Sequence, residues 1–221
     1  MLDNIALKSY RNTGNNDVLK FITEGSEVLD IGCGGGDNAR NLQETGCMVD
    51  GITISATELN EAKNFLREGF LYDLENGLPD NVIIKKYDFI ICSHVLEHIC
   101  YPEKLLNGIK NCLRPGGKFI VALPNIMHYK SRWELCKGNF NYKSAGIWDN
   151  THFKWYTYES GAELLQENGF KIIEKTVTGQ LPGASFFSKL LSEKISLILY
   201  DKIKKISPGF FGYQLLYVAT I

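Results

Sequence analysis

One string constrains this chain more than any other: Val28-Leu29-Asp30-Ile31-Gly32-Cys33-Gly34-Gly35-Gly36-Asp37. A short apolar run fit for a buried strand leads into four glycines within five positions, and a helix-compatible stretch follows. Without a Cβ, glycine takes left-handed backbone easily and lets a ligand lie against the loop amides. A tight strand-to-helix turn would also account for the cluster. A dinucleotide fingerprint fits poorly, because G-x-G-x-x-G counted from Gly32 needs a third glycine where Asp37 stands. Asp30 sits two residues before the first glycine. A carboxylate at a strand's end, beside exposed amides, suits a ligand that carries an ammonium and a carboxylate together.

From Gly25 to Leu123, β-rich runs alternate with helical stretches, the order of an α/β domain with a largely parallel sheet. The pattern predicts strands over Val28–Ile31, Met48–Ile54, Phe70–Tyr72, Tyr87–Cys92 and Lys118–Leu123. Helices are predicted over Asp37–Thr45, Ser55–Glu68 and Pro102–Leu113. Ser55 and Glu58 form an S-x-x-E capping box, and Arg114-Pro115-Gly116-Gly117 reads as a stop before the next strand. Residues 124–156 lose the rhythm and read as an inserted, partly helical segment over the sheet's C-terminal edge, where α/β folds bind ligands. A helix over Tyr158–Asn168, a strand over Phe170–Thr178, an amphipathic stretch Phe186–Ile206 and a strand over Tyr213–Ile221 follow, the two strands as an antiparallel pair. Residues 1–24 read as a helical cap. At 221 residues the whole is expected to be one domain.

Composition narrows the partners. With 24 Lys+Arg against 25 Asp+Glu there is no general field for a polyanion, and nucleic acid is not expected to bind. The six cysteines are scattered without a C-x-x-C pair, which suits reduced thiols and a cytoplasmic protein. No secretory signal or span-length apolar stretch is visible. Within Phe186–Ile206, Leu190, Leu191, Ile195, Ile198 and Leu199 are interleaved with Lys189, Lys194, Lys202, Lys204 and Lys205. Such a helix packs on its own domain or a dimer partner, or rests on anionic lipid as a peripheral contact. Monomer and homodimer both stay open.

V-L-D-I-G-C-G-G-G resembles motif I of class I S-adenosylmethionine-dependent methyltransferases. The later markers agree in order: Asp73 after the third strand, Tyr87-Asp-Phe-Ile-Ile-Cys-Ser93 as the fourth, and L-R-P-G-G-K-F-I-V leading through the fifth. The resemblance implies a Rossmann-like α/β fold, a seven-stranded mainly parallel sheet with an antiparallel last strand, and helices on both faces. It implies S-adenosylmethionine as cofactor and S-adenosylhomocysteine as product. Residue by residue, Asp30 with Gly32, Cys33 and Gly34 would hold the methionine moiety, and Asp73 with Leu74 the adenine. Ser93 and His94 would sit beside the sulfonium. Where an acidic residue usually ends the second strand to grip the ribose, this chain has Thr53. The string G51-I-T-I-S-A-T-E58 resembles cyclopropane-fatty-acid synthase relatives, which makes Thr53 and Glu58 the ribose candidates, a capping role for Glu58 being the alternative. Asp50 is expected to point away.

The stretch Pro124-Asn125, His128, Arg132 and Asp149-x-Thr151-His152-Phe153-Lys154 resembles small methyltransferases of bacterial surface-polysaccharide clusters. That implies O-methylation of a capsule or lipopolysaccharide glycan, or of its sugar, phosphate or phosphoramidate precursor, with Asn125, His128, Arg132 and Lys154 on the acceptor. A sugar hydroxyl benefits from a general base near neutral pKa, and histidine is the natural one. His152 is the first candidate, with Asp149 as orienter, and His94 the second; a structural Asp–His bond is the plain alternative. A small-molecule O- or N-methyltransferase of quinone or secondary metabolism, and a non-catalytic cofactor-binding subunit, are the rival readings. On a helix His94, Glu97 and His98 would share one face and hold a divalent ion. Ubiquinone-pathway O-methyltransferases carry a similar E-x-x-E-H segment, which implies magnesium. In metal-free relatives the same Glu and His brace the fold, and no metal is the favoured reading.

Overall fold

The computed structural model describes residues 13–180, 182 and 192–221. Residues 1–12 of the predicted helical cap over 1–24, and the first part of the stretch Phe186–Ile206, lie outside these residues. The chain runs α1 (Asn16–Leu19), β1 (Glu27–Ile31), α2 (Asp37–Gln43), β2 (Met48–Thr53), α3 (Ala56–Ala62), β3 (Glu68–Leu71), α4 (Asp80–Ile83) and β4 (Tyr87–Ser93). It continues through α5 (Glu103–Cys112), β5 (Leu113–Pro124), α6 (Tyr129–Cys136), α7 (Ser160–Glu167), β6 (Lys171–Thr178), α8 (Glu193–Ile206), α9 (Pro208–Phe211) and β7 (Gln214–Thr220). Short 3₁₀ turns cover Leu74–Asn76 and Leu96–His98.

The strands form one seven-stranded sheet in the order β3-β2-β1-β4-β5-β7-β6. Neighbours among β1 to β5 pair in parallel, and β7 enters antiparallel between β5 and β6. Alternation along the strands supplies two cores. On β5, Phe119, Val121 and Leu123 enter one cluster with Leu105, Leu106 and Ile109 of α5 and Leu165 of α7. Ile120 and Ala122 enter the other with Ala39 and Leu42 of α2 and Val18 of α1. Both faces are thus covered, which is why the central strands read as nearly continuous apolar runs.

Two predicted boundaries shift for physical reasons. The helix expected over Ser55–Glu68 ends at Ala62, because the Arg67 amide donates to the Val49 carbonyl at 2.7 Å and the chain joins the free edge of β2 from Glu68. The stop at Arg114–Gly117 ends α5 but does not delay the strand. Leu113 already pairs with Tyr87, and the Pro-Gly-Gly turn is absorbed as an irregularity in the β4–β5 ladder.

Asp50 does point away from the ligand side. It is fully buried and accepts both forks of Arg67 at 2.8 Å, Lys85 at 3.0 Å and the Tyr87 hydroxyl at 2.9 Å. Burial pushes its pKa up, but the hydrogen bonds from Arg67, Lys85 and Tyr87 outweigh burial and hold it below the usual carboxylate value. The stability this carboxylate lends is present above its unfolded pKa, about 3.9, and is lost as pH falls through the lower folded value. Asp50→Ala is expected to remove about 3–5 kcal/mol, the usual result of stranding one side of a buried ion cluster. Urea unfolding at neutral pH measures it, and a loss under about 1 kcal/mol would show that Arg67 and Lys85 relax into solvent.

Candidate active site

A cleft of about 760 Å³ opens over the C-terminal ends of β1, β2, β4 and β5. That size lies in the upper part of the range typical of small-molecule sites. Its floor is the glycine loop, where Gly32 has φ +74° and carries no side chain because a Cβ would lie 2.3 Å from Val95 Cγ2. The amides of Gly32 and Cys33 both donate to the Ile52 carbonyl at 2.9 Å, tying the loop to the end of β2. Gly32, Cys33 and Gly34 all line the cleft.

Asp30 is buried at the end of β1 beneath this loop. Its Oδ2 accepts a long 3.3 Å bond from Asn38 Nδ2, and its Oδ1 has no hydrogen-bond partner among the described residues. Burial pushes its pKa up to about 7, with Asn38 pulling weakly the other way. A buried carboxylate oxygen without a donor is costly. An amino group arriving over the glycines would supply that donor, so this position fits the ammonium of an amino-acid ligand.

Thr53 and Glu58 meet on the next wall. The Thr53 hydroxyl donates to Glu58 Oε2 at 2.7 Å, while Ser55 Oγ takes the Glu58 amide at 3.4 Å to cap α3. Half of the predicted capping box is therefore present, and the Glu58 carboxylate turns toward the cleft rather than back to the Ser55 amide. The Ser55 amide is held instead by Thr53 Oγ1 at 3.2 Å. Farther along, Asp73 caps the turn Leu74–Asn76 by accepting from the Glu75 amide at 3.0 Å, and Asp73 and Leu74 both line the cleft.

Ser93 and His94 stand at the end of β4, opposite the loop. His94 has φ +57°, the left-handed region that a non-glycine residue adopts at a cost. Its Nε2 lies 2.7 Å from Gln214 Oε1 and its Nδ1 3.3 Å from Glu97 Oε1. Desolvation would lower its pKa, but the Glu97 hydrogen bond and charge, with Gln214, raise it above the usual value. Both ring nitrogens face acceptors, so His94 is set as a proton-bearing donor. Asn15 closes this side, donating to Ser93 Oγ and Gln214 Oε1, each at 2.9 Å.

His152 reaches the cleft from the loop after α6. Its Nδ1 lies 3.2 Å from the Ile147 carbonyl, so this backbone oxygen holds Nδ1 in the place predicted for Asp149. Asp149 Oδ1 accepts from the Thr151 amide at 2.9 Å and from its hydroxyl at 2.7 Å, bracing the loop. Burial lowers the His152 pKa and keeps the ring neutral. His98 Nδ1 likewise faces the Thr151 carbonyl, at 3.1 Å. Each Nδ1 thus faces a backbone carbonyl, and where Nδ1 of His152 carries the proton its Nε2 keeps the lone pair. One ligand atom from each of Glu97, His98 and His152 lies within 4.8 Å of the others, and the buried Glu97 Oε2 has no hydrogen-bond partner among the described residues. The alternative divalent-ion set, His94, Glu97 and His98, is not the one the geometry brings together. Residues 96–98 form a 3₁₀ turn rather than an α-helix, His94 is turned onto Gln214, and His152 takes its place. Two nitrogens and a carboxylate suit a borderline transition ion better than magnesium.

Four acceptor-side candidates lie outside the cleft wall. Asn125 Nδ2 donates to the carbonyls of Gly209 and Gly212, and its Oδ1 accepts from the Met127 amide, so its whole amide locks two loops together. His128 is buried against the Tyr129 and Tyr213 rings, and burial pulls its pKa down to about 4. Arg132 Nε donates to the Met127 carbonyl and the guanidinium lies over Phe210. Lys154 is half-buried behind Glu97, its amide on the Glu97 carbonyl. Local pattern put Asn15, Asn38 and Gln214 in no site. Asn38 alone left a trace, as an amide residue in the first turn after the glycines.

A glycine-floored cleft at the strand ends of a sheet ordered 3-2-1-4-5-7-6, with its seventh strand reversed, defines a Rossmann-like fold of the methyltransferase type. Solved structures share it. A SAM dependent methyltransferase from Archaeoglobus fulgidus superposes with a TM-score of 0.64 at 20% identity, covering 93% of this chain and 89% of that one. A putative S-adenosylmethionine dependent methyltransferase from Listeria monocytogenes gives 0.60 at 19%, covering 93% and 95%. The sequence profile of the family described as Methyltransferase domain matches residues 8–175, more than half of the chain, and the chain belongs to that family. Among curated proteins, a ubiquinone biosynthesis O-methyltransferase of Coxiella burnetii is 31% identical over 116 residues, 48% of this chain and 49% of the relative. The match therefore spans about half the length of that relative.

Proposed function

We propose that this protein transfers a methyl group from S-adenosylmethionine to an oxygen of a small acceptor. The observation that carries the reading is Asp30: a buried carboxylate with an unpartnered oxygen under a glycine loop, as an amino-acid end would require. In this reading Thr53 and Glu58 would meet the ribose hydroxyls, Asp73 and Leu74 the base, and Ser93 with His94 the reacting centre; all six line the cleft. The bound cofactor supplies an activated methyl for in-line displacement. The chain's share is to orient the two reactants, exclude water and take the acceptor's proton. Neutral His152 is the base in this reading, held by Ile147, while His94 donates.

The cleft continues past the cofactor residues to Glu97, His98, Ile147 and His152. That depth favours an enzyme over a subunit that only binds cofactor. For the acceptor, the polysaccharide-type pattern across residues 124–156 points to a glycan or its precursor, although Asn125, His128, Arg132 and Lys154 now support the wall rather than form it. The curated relatives' name favours the second reading, a phenolic hydroxyl of quinone metabolism. A product-mass screen for one added methylene decides between them, with nucleotide sugars and surface-glycan precursors in one arm and hydroxylated aromatic precursors in the other. Transfer in the sugar arm is the expected result; transfer in the aromatic arm alone replaces the acceptor, and product in neither arm, with cofactor bound, sinks the reading of an enzyme for these acceptors.

A further inference from the structure

Helix α8 carries a face that neither the sheet nor the cleft uses. At helical spacing, Ile195, Ile198, Leu199, Lys202 and Ile206 form one stripe. The four apolar residues of the stripe are exposed, at 46%, 50%, 37% and 81% respectively. The opposite side anchors the helix: Tyr200 is buried and its hydroxyl donates to the Phe211 carbonyl at 3.4 Å. So the outward stripe is not an accident of a loosely placed helix. Four aliphatic side chains facing water along one side of a helix call for an occupant.

The lysines say which kind. Lys202 lies inside the stripe, and Lys194 and Lys205 flank Ile198, four residues before and seven after it. Among the described residues none of these three lysines has an ion-pair partner, whereas Lys204 pairs with Asp201 at 2.7 Å on the other flank. A protein interface that buried Ile198 would also strip water from three ammoniums that form no ion pair among the described residues. A bilayer surface does not. Lysine stems lie along the apolar side chains while their heads rise to anionic phosphates. No helix among the described residues is long and apolar enough to cross a membrane, so the helix would lie in the interface plane.

We propose that α8 docks this protein on an anionic phospholipid surface, with Ile195, Ile198, Leu199 and Ile206 inserted and Lys194, Lys202 and Lys205 on the headgroups. The stripe faces away from the body of the protein, because Tyr200 is buried on the other side of the helix. The docking itself is independent of which acceptor is methylated.

The full chain is tested by co-sedimentation with vesicles of phosphatidylglycerol and phosphatidylcholine. Binding to the anionic vesicles that weakens with salt is expected, with little on phosphatidylcholine alone. Reversing the three lysines together, as K194E, K202E and K205E, should weaken it about 100-fold or more, each lysine near such a surface being worth about fivefold. Ile198→Ser with Ile195→Ser should weaken it while leaving the lysines in place. Circular dichroism and melting confirm that the variants fold. No binding by the wild type, equal binding to both lipids, or full binding by the folded triple variant overturns the proposal. So does a dimer in solution that buries Ile198 and leaves the vesicles free.

Discussion

Asp30→Asn is expected to weaken S-adenosylmethionine binding at least about 100-fold in calorimetry, while raising the melting temperature of the ligand-free protein at pH 8. Both effects come from one atom. Oδ1 is buried without a donor, and its pKa stands near 7 because burial disfavours the charge. Below the unfolded value near 3.9 the proton is bound in both states and the carboxyl is harmless. Between that value and about 7 the folded protein keeps a proton that the unfolded chain has released, so stability falls as pH rises through this window. Above it the ionised group costs the free protein of order 4 kcal/mol, from about 1.4 kcal/mol per unit. Asparagine has the same shape and no charge, which relieves that cost and deletes the partner for an ammonium. Losing a charged partner of a buried charge costs about 2–5 kcal/mol in binding, hence the fold-change. In the wild type, affinity should fall up to tenfold per unit as pH drops below about 7, since the cofactor must then displace a proton. A variant that binds as the wild type does, at every pH, would remove Asp30 from the cofactor site.

The fold was legible because its determinants are local. The glycine loop after β1, the alternation of apolar runs, and the Ser55 cap each act within a few residues. Arg67 was less visible: its place in the extended run before β3 depends on Asp50, seventeen residues upstream. The candidate site divides the same way. Asp30, Thr53 and Ser93 lie at the C-terminal ends of strands and Asp73 just after one, so each could be placed by position along the chain. The second half is made by partners far apart in sequence. Gln214 meets Asn15 across 199 positions and His94 across 120, and His152 joins Glu97 and His98 only because residues 145–152 fold back over the 3₁₀ turn. A histidine's pattern says nothing of which carbonyl holds its Nδ1. That is why Asp149 looked like an orienter, and why Asn125 and Arg132 looked like acceptor residues when their polar atoms hold the neighbouring loops.

His152→Ala should lower turnover about 100-fold or more with cofactor affinity unchanged, the usual loss when a general base is removed. The candidate cofactor residues Thr53 and Asp73 line the cleft and Asp30 is buried beneath its glycine loop, each on elements apart from the His152 loop, so the truncation leaves them intact. His94 does not substitute, because both its nitrogens face acceptors and its pKa is held up. The same variant also tests the alternative in which Glu97, His98 and His152 hold a divalent ion. Cobalt titration separates the two. If the three ligate, the wild type gives visible absorption bands in cobalt that disappear in His152→Ala and in Glu97→Gln, and a chelator lowers turnover until a transition ion is returned. If His152 is a base alone, no bands form, a chelator leaves the wild type unaffected, and the loss in His152→Ala persists in any ion. His98→Ala distinguishes further: as a ligand its loss matches that of His152→Ala, whereas beside a free base it removes only the neighbouring ring, 4.7 Å away edge-on, and turnover falls less. Full turnover in His152→Ala would end both roles at once, and would leave the chemistry to orientation and desolvation of an acceptor that arrives already anionic.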